Sequence, residues 1–371
     1  MGYVAVKGGL RAIEESGKRL RYERLKGRSV ITVETIKNTL RGMIDQIMSE
    51  GSLYSRDLAA LAIKQAEGNA EEATFLLRAY RSTLPRKYYS QVVEPREMRV
   101  KRRISAAFKD IPGGQILGAS YDYTHRLLDF GLDKENLADI LKWLKEFEES
   151  PEVEERSHRT TLPKVVDFLR EEGLITTVEN DDTEPEDTTR KSLEFPTTRS
   201  ERLQVLTRGQ TGAMTALGYA AIRGYGTVHP TVGELRVGYL PVAINYPLDS
   251  SETEDDGLYI GEIQVTEVEA LIPETKELVN GKKEIQFGIG YGICYGQNET
   301  KAIAMSILDN CLEKSHLDSP VHDEEFVLMH IDCVEATGFI SHLKLPHYVT
   351  FQSNLDSARK TKVKDENDEQ L

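Results

Sequence analysis

One stretch limits the folds open to this chain more than any other: Ile285, Phe287, Ile289, Tyr291, Ile293 and Tyr295 alternate with Gln286, Gly288, Gly290, Gly292, Cys294 and Gly296. A period of two puts the bulky side chains on one face of a β-strand and leaves the other face nearly bare. Glycine weakens a strand, so a run of it marks a place where something must come close. The stronger reading is a helix or strand packed hard against the bare face; the other is a ligand lying on it. The spacing Gly288-x-Gly290-x-Gly292-x-x-x-Gly296 is not the dinucleotide G-x-G-x-x-G, because Ile293 stands where the third glycine is needed. No P-loop pattern occurs anywhere in the chain.

Around this strand the pattern is mixed. Gln297-Asn298 makes a turn into a helix with Ala302, Ile303, Met305, Ile307 and Leu308 inward, and Leu235–Asn245 and Tyr259–Ile272 read as further strands. Upstream, Val33, Ile36, Leu40, Met43, Ile44 and Ile47 form one helical stripe stopped at Gly51. Ser55 caps the next helix, and Asn69 with Glu72 opens a third that ends before Pro85. Tyr3–Val6 reads as a short strand, and helices are expected around Leu137–Phe147 and Val165–Leu174. Strands beside helices without regular alternation give an α+β fold. The expected organisation is a mainly helical part over 1–130 and a variable helical and acidic linker over 131–197. An α+β domain follows over 198–350, then a charged tail over 351–371. The acidic, proline-containing Glu179–Asp187 and the insert Ser250–Gly257 read as loops.

Charge and cysteine content exclude several functions. In 371 residues, 47 Lys and Arg face 61 Asp and Glu, a net charge of −14 that argues against nucleic acid and membrane surfaces as partners. Three separated cysteines, Cys294, Cys311 and Cys333, build neither a disulfide framework nor an iron–sulfur motif. With no membrane-length apolar run and no signal-peptide layout, a cytoplasmic location is expected.

Three clusters could carry chemistry. Arg99, Lys101, Arg102 and Arg103, followed by Lys109 and the Gly113-Gly114 turn, join cations to exposed amides, a combination that holds polyphosphate or simply makes a solvated face. In Tyr121–Phe130, a helix would bring Asp122, His125, Arg126 and Asp129 to one side. In Ile340-Ser341-His342-Leu343-Lys344-Leu345-Pro346-His347, the two imidazoles converge only if the chain bends between them, which Pro346 favours. Two histidines suit zinc, but the other ligands must come from Asp323, Glu324, Glu325, His330 or a partner chain. His229, in the Arg223–Pro230 loop, reads as structural. The residues alone leave open a metal-dependent hydrolase, a nucleotide-handling enzyme and a scaffold subunit.

At these same segments the chain resembles the PhnI family of the bacterial carbon–phosphorus lyase machinery. The matching stretches are YVAVKGG (3–9), LAALAIKQAEGN (58–69), LLRAYRSTL (76–84), RRISAAFKDIPGGQILGASYDYTHRLLDF (102–130), RGYGTVHP (223–230), DEEFVLMH (323–330) and VEATGFISHLKLPHYVTF (334–351). Residues 131–197, the 250–257 insert and the tail do not match clearly. The resemblance implies a subunit acting with PhnG, PhnH and PhnL, in a two-fold core that also holds PhnJ, with PhnK-like subunits as further partners. Together they would move the ribose triphosphate of ATP onto an alkylphosphonate and release adenine. Alone, the subunit would cleave ATP or GTP as a purine nucleosidase. It also implies zinc on His342 and His347 near the PhnJ boundary. For that chemistry we expect Asp122 or Asp129 in the acid or electrostatic role and His125 in proton transfer. Arg78, Arg81, Arg102, Arg103 and Lys109 would hold phosphate with the Gly113 and Gly114 amides. The alternative is a non-catalytic scaffold pinned by zinc.

Overall fold

The computed structural model describes residues 9–149, 162–176, 183–225, 229–245, 257–277, 281–314, 319–345 and 347–362. The expected strand Tyr3–Val6, most of the 250–257 insert and part of the acidic loop at 179–187 lie outside them.

The chain folds as two compact units, Met1–Thr32 with Cys333–Leu371, and Val33–Asp332. The first is helical: α1 (Gly9–Leu25), α12 (Cys333–Ser341) and α13 (Tyr348–Thr361). It therefore holds the two histidines of the HLKLPH segment.

The second unit opens with α2 (Val33–Thr39), α3 (Arg41–Gly51), α4 (Arg56–Gln65) and α5 (Ala70–Ser82). The expected single stripe from Val33 is broken at Leu40. Thr39 Oγ1 bonds back to the Thr35 carbonyl at 2.7 Å and Asn38 to Glu34 at 3.0 Å. The Thr39 bond falls on a carbonyl of the helical ladder four residues back, and a back-bond of that kind bends a helix. The stripe still serves one core, in which Ile36, Ile44, Ile47 and Met48 pack with Ala59, Ile63 and Leu77. Burying each large side chain there contributes about 1.5–3 kcal/mol. Ser55 and Asn69 cap α4 and α5 by accepting from the Leu58 and Glu72 amides.

A four-stranded antiparallel sheet follows, in the order β1 (Arg99–Ile104), β2 (Thr231–Asn245), β3 (Gly257–Glu277), β4 (Lys283–Tyr295). Between β1 and β2 lie α6 (Leu137–Glu148), α7 (Val165–Glu171), α8 (Arg199–Arg208) and α9 (Thr211–Ala220). After β4 come α10 (Glu299–Glu313) and α11 (Glu324–His330). The fold is α+β. β1 was not expected: its sequence, Arg-Val-Lys-Arg-Arg-Ile, reads as a solvated basic run.

The bare face of β4 is covered by α10. A Cβ on Gly290 would stand 2.0 Å from the Ser306 carbonyl oxygen, and one on Gly292 2.1 Å from that of Ala302. The helix also closes the open edge of the sheet. Asp309, fully buried, accepts from the Tyr291 amide at 2.9 Å. Thr207 donates to the Ile293 carbonyl at 2.6 Å, and Leu174–Thr176 pair with Phe287. Beyond α10, Met305 and Leu308 pack with Leu206, Met214, Val327 and Ile331.

The bulky face of β4 meets a buried ionic network. Lys164 Nζ reaches Glu267 and Glu269 at 2.9 Å each, Arg236 pairs with Glu267, and the Tyr291 hydroxyl donates to Glu267 at 3.1 Å. Burial pushes the Glu267 carboxyl up, but Arg236 and Lys164 outweigh it and hold it below the usual range. For Glu269 burial wins, helped by Glu267, and its pKa is raised.

Candidate functional site

Three places bring chemical groups together. The largest is a cleft of about 760 Å³ walled by the α2–α3 junction, the 119–126 loop and the start of α10. Its polar side chains include Arg41, Asp45, Asp122, Arg126, Gln297 and Glu299.

Asp122 is set there by β1. Arg102, 3% exposed, bonds Asp122 and the Leu117 carbonyl and pairs with Glu299 at 2.9 Å. One buried guanidinium thus ties the loop to the first turn of α10. The Ser120 side chain, with Arg102 and Arg126, holds the Asp122 carboxyl below its usual range. Asp45, on α3, is fully buried. Its Oδ2 accepts from the Gln297 amide at 3.0 Å, while Oδ1 has no hydrogen-bond partner and lies 3.5 Å from Arg56. Burial pushes the Asp45 carboxyl up, against the Gln297 amide and Arg56. Two carboxyl groups on one cleft are therefore driven in opposite directions. That pattern separates a proton donor from a charged stabiliser.

The structure does not bring all the sequence candidates to this cleft. Residues 120–130 form turns and irregular chain instead of a helix, with Arg126 at φ 53°. Asp122 and Arg126 line the cleft, whereas His125 and Asp129 are exposed outside its wall, and Asp129 accepts from the Gly131 amide at 2.8 Å. Arg103 is fully buried and bonds Glu234 and the Pro112 and Pro163 carbonyls. Gly113 and Gly114, at φ 81° and 73°, make a tight turn in which the Gly114 amide is spent on the Ile111 carbonyl. Lys109 is exposed beside it. The expected phosphate cradle is thus a turn clamped by a buried arginine.

Arg78 and Arg81 lie elsewhere, on α5. Arg78 pairs with Asp332 at 2.5 Å and donates to the Glu50 carbonyl at 2.9 Å. Arg81 donates to the Gly51 carbonyl at 3.3 Å. A second cavity, about 380 Å³, opens over the bulky face of β4, with Leu240, Val265, Tyr291 and Tyr295 on one side and Thr188 and Arg208 on the other.

The third place is the histidine pair. His342 starts a short 3-10 turn after α12 and His347 precedes α13, so the chain bends between them. Their ring centroids are 5.3 Å apart. Each Nδ1 faces a backbone carbonyl, Phe339 for His342 and Leu345, at 2.6 Å, for His347. An Nδ1–H bond of this kind leaves Nε2 as the ligating nitrogen. Two imidazoles bound through Nε2 at roughly 2.0–2.1 Å in a tetrahedral shell have centroids about 5 Å apart, so the pair fits zinc. Among the described residues no group of three or more His, Cys, Asp or Glu gathers for a metal.

Asp45 and Arg208 were missed by the sequence reading. A carboxylate inside the apolar run Met43–Met48 was a usable signal for Asp45; nothing local marks Arg208.

The sequence matches, over residues 2–365, the family described as bacterial phosphonate metabolism protein (PhnI). The chain belongs to the PhnI family. It is 45% identical to the putative C-P lyase subunit protein HtxH of Stutzerimonas stutzeri, over 98% of this chain and 97% of that protein. It is 43% identical to the alpha-D-ribose 1-methylphosphonate 5-triphosphate synthase subunit PhnI of Rhizobium meliloti (strain 1021), over 96% and 94% of the two chains. For the protein of the same name in Escherichia coli (strain K12) the identity is 42%, over 95% and 96%. Among the described residues, no helix of this PhnI-family chain is long and apolar enough to cross a membrane.

Proposed function

We propose that this chain is the subunit of a carbon–phosphorus lyase system that cleaves the N-glycosidic bond of ATP. With companion subunits it passes the ribose 5-triphosphate to an alkylphosphonate such as methylphosphonate. Alone it acts as a purine nucleosidase on ATP and GTP. The names of the Rhizobium and Escherichia relatives support the synthase role. The observation that carries the site is the cleft shared by Asp45 and Asp122, with their carboxyl groups pushed apart.

Breaking the bond between C1′ and the purine develops positive charge on the sugar and negative charge on the base, as in glycoside cleavage. Asp122, held ionised, faces the cationic sugar. Asp45, whose carboxyl burial pushes up, is the group that gives a proton to the departing base. The electron pair of the broken bond leaves with adenine, and a phosphonate oxygen, or water for the nucleosidase, forms the new bond to C1′. Arg41 and Arg126 line the same cleft and offset the negative charge of the substrate. His342 and His347 would hold zinc, which supplies Lewis acidity or pins a subunit boundary when bound, with the remaining ligands from a partner subunit or water. PhnG, PhnH, PhnJ, PhnL and PhnK-like subunits are the proposed companions.

The scaffold reading has one observation behind it. The helix α6 turns Leu137, Leu141, Trp143 and Phe147 to solvent, with exposures of 70, 56, 59 and 50%. Adenine release from ATP by the purified chain, beside Asp45→Asn and Asp122→Asn, decides between them. Release by the parent that is lost in both variants supports catalysis in this cleft. No release from the chain alone would favour the scaffold.

A further inference from the structure

Arg208 lines the cavity over β4, and Arg78, Arg81 and Arg86 form a chain of neighbouring positive charges beside it. Arg78 pairs with Asp332, and Arg86 pairs with Asp187 and donates to Thr189. Arg81 and Arg208 are held by neutral groups instead. Among the described residues, Arg81 donates to the Gly51 carbonyl. Arg208 donates to the Gln204 carbonyl at 3.2 Å and the Thr188 hydroxyl at 2.9 Å. Neither forms an ion pair with a carboxylate among the described residues. Arg208 lines the cavity, as do the side chains of Thr188, Thr189 and Tyr295. Burial, with Arg78 and Arg81 close by, pushes Arg208 down to about 10, and burial with Arg78 and Arg86 pushes Arg81 down too. A chain of net charge −14 has acidic residues to spare, yet against these four arginines it sets Asp332 and Asp187, which pair with Arg78 and Arg86 and act on Arg81 and Arg208 only at longer range. Crowded, desolvated cations of this kind are relieved by an incoming anion.

The geometry points to this cavity as a second binding site, distinct from the Asp45–Asp122 cleft, that takes the phosphoryl group of an organic phosphate at Arg208, with the Arg81 charge near by, and its apolar body against the β4 face. Guanidinium groups suit phosphate because their forked donors match two oxygens at once. The Thr188 and Thr189 hydroxyls already donate to Gln204, at 3.2 Å, and to Asp187, at 2.6 Å, so the guanidinium groups supply the phosphate donors. The opposite wall, with Leu240, Val265, Tyr291 and Tyr295, offers apolar and aromatic surface but no cation. A ligand with one anionic end and one flat apolar end fits that division; a bare inorganic anion uses half of it.

The test is equilibrium binding to the full-length chain at low salt, with inorganic tripolyphosphate, ATP and methylphosphonate as separate probes. Tripolyphosphate and ATP are expected to bind, ATP more tightly because of its base. Arg81→Gln and Arg208→Gln are each expected to weaken tripolyphosphate binding by tenfold or more and to remove one of two ATP-binding events, leaving the one in the Asp45–Asp122 cleft. Methylphosphonate binding most tightly, with the same arginine dependence, would make the ligand a phosphonate and keep the site. Should Arg208→Gln fail to fold, Arg81→Gln alone carries the test. Asp122→Asn is expected to lose adenine release while binding tripolyphosphate as the parent does. Unchanged affinities in both arginine variants, or no binding of any probe to the parent, would overturn the inference. Normal adenine release in that case would leave the catalytic cleft standing.

Discussion

The sharpest test of the fold is Gly290→Ala. Its new methyl would sit 2.0 Å from the Ser306 carbonyl oxygen and 2.9 Å from the carbonyl carbon, where ordinary contact begins near 3.4 Å. Both atoms are backbone, so no rotamer change relieves the clash, and α10 must retreat by more than an ångström. It has no room to do so: Ala302, Met305 and Leu308 are fully buried on that helix. Overpacking of this kind costs about 1–3 kcal/mol. Retreat also pulls Asp309 from the Tyr291 amide, and a buried polar group left unpaired costs about 1–3 kcal/mol more. The entropy that alanine removes from the unfolded chain returns only about 0.4–1 kcal/mol. The net loss is about 2–5 kcal/mol, or a fall in Tm of roughly 3–8 °C for a unit as long as Val33–Asp332. Differential scanning calorimetry measures it, with Gly212→Ala as control. That glycine, in α9, has no neighbour nearer than 3.8 Å, and its replacement should change stability by less than about 1 kcal/mol. If Gly290→Ala melted with the control, close contact would not be the reason for the glycines.

Asp122→Asn should cut adenine release by more than about tenfold with an unchanged circular dichroism spectrum. The parent rate should fall on the acid side as Asp122 gains a proton below its usual 3.8, and on the alkaline side as Asp45 loses one above it. Lys164→Met strips Glu267 and Glu269 of a shared partner and should cost about 3 kcal/mol in urea unfolding, since it leaves two buried carboxyl groups to Arg236 and to Arg170, 3.7 Å from Glu269. Because Glu269 is raised in the folded chain, that residue makes stability fall as pH rises from 4.5 through its folded value; Glu269→Gln should remove that fall in a Tm series against pH. Zinc measured by mass spectrometry on the purified complex should drop in His342→Ala and His347→Ala, and a zinc-free parent would end the metal assignment.

Legibility in the sequence followed the range of the interactions. Ser55 and Asn69 cap helices by bonding amides three residues on, so their short spacing is written locally. The glycine-faced strand was equally plain, because an alternation of bulky residues with glycine has few other uses. β1 was hidden for the opposite reason. Its arginines look solvated until Glu234 and Glu299, 131 and 197 residues away, enter the interior to meet them. The conditional helix over Asp122–Asp129 is replaced by a loop that Arg102 pins at Leu117 and Asp122. Asp45 was overlooked because the apolar stripe around it drew attention to packing.

The close fit of α10 on β4 also bears on how the chain acquires its shape in time. The strands β3 and β4 and the helix α10 are consecutive, and the fit between the last two spans residues 283–313. The entropy of closing such a short loop is small compared with that of bringing β1 to β2 across more than a hundred residues. A nascent chain therefore gains a bicyclic nucleus of strand and helix as soon as this segment is complete, and the distant basic strand docks onto a template already formed. Amides of β4 beneath the helix should be the slowest to exchange with deuterium, and those of β1 should open earlier.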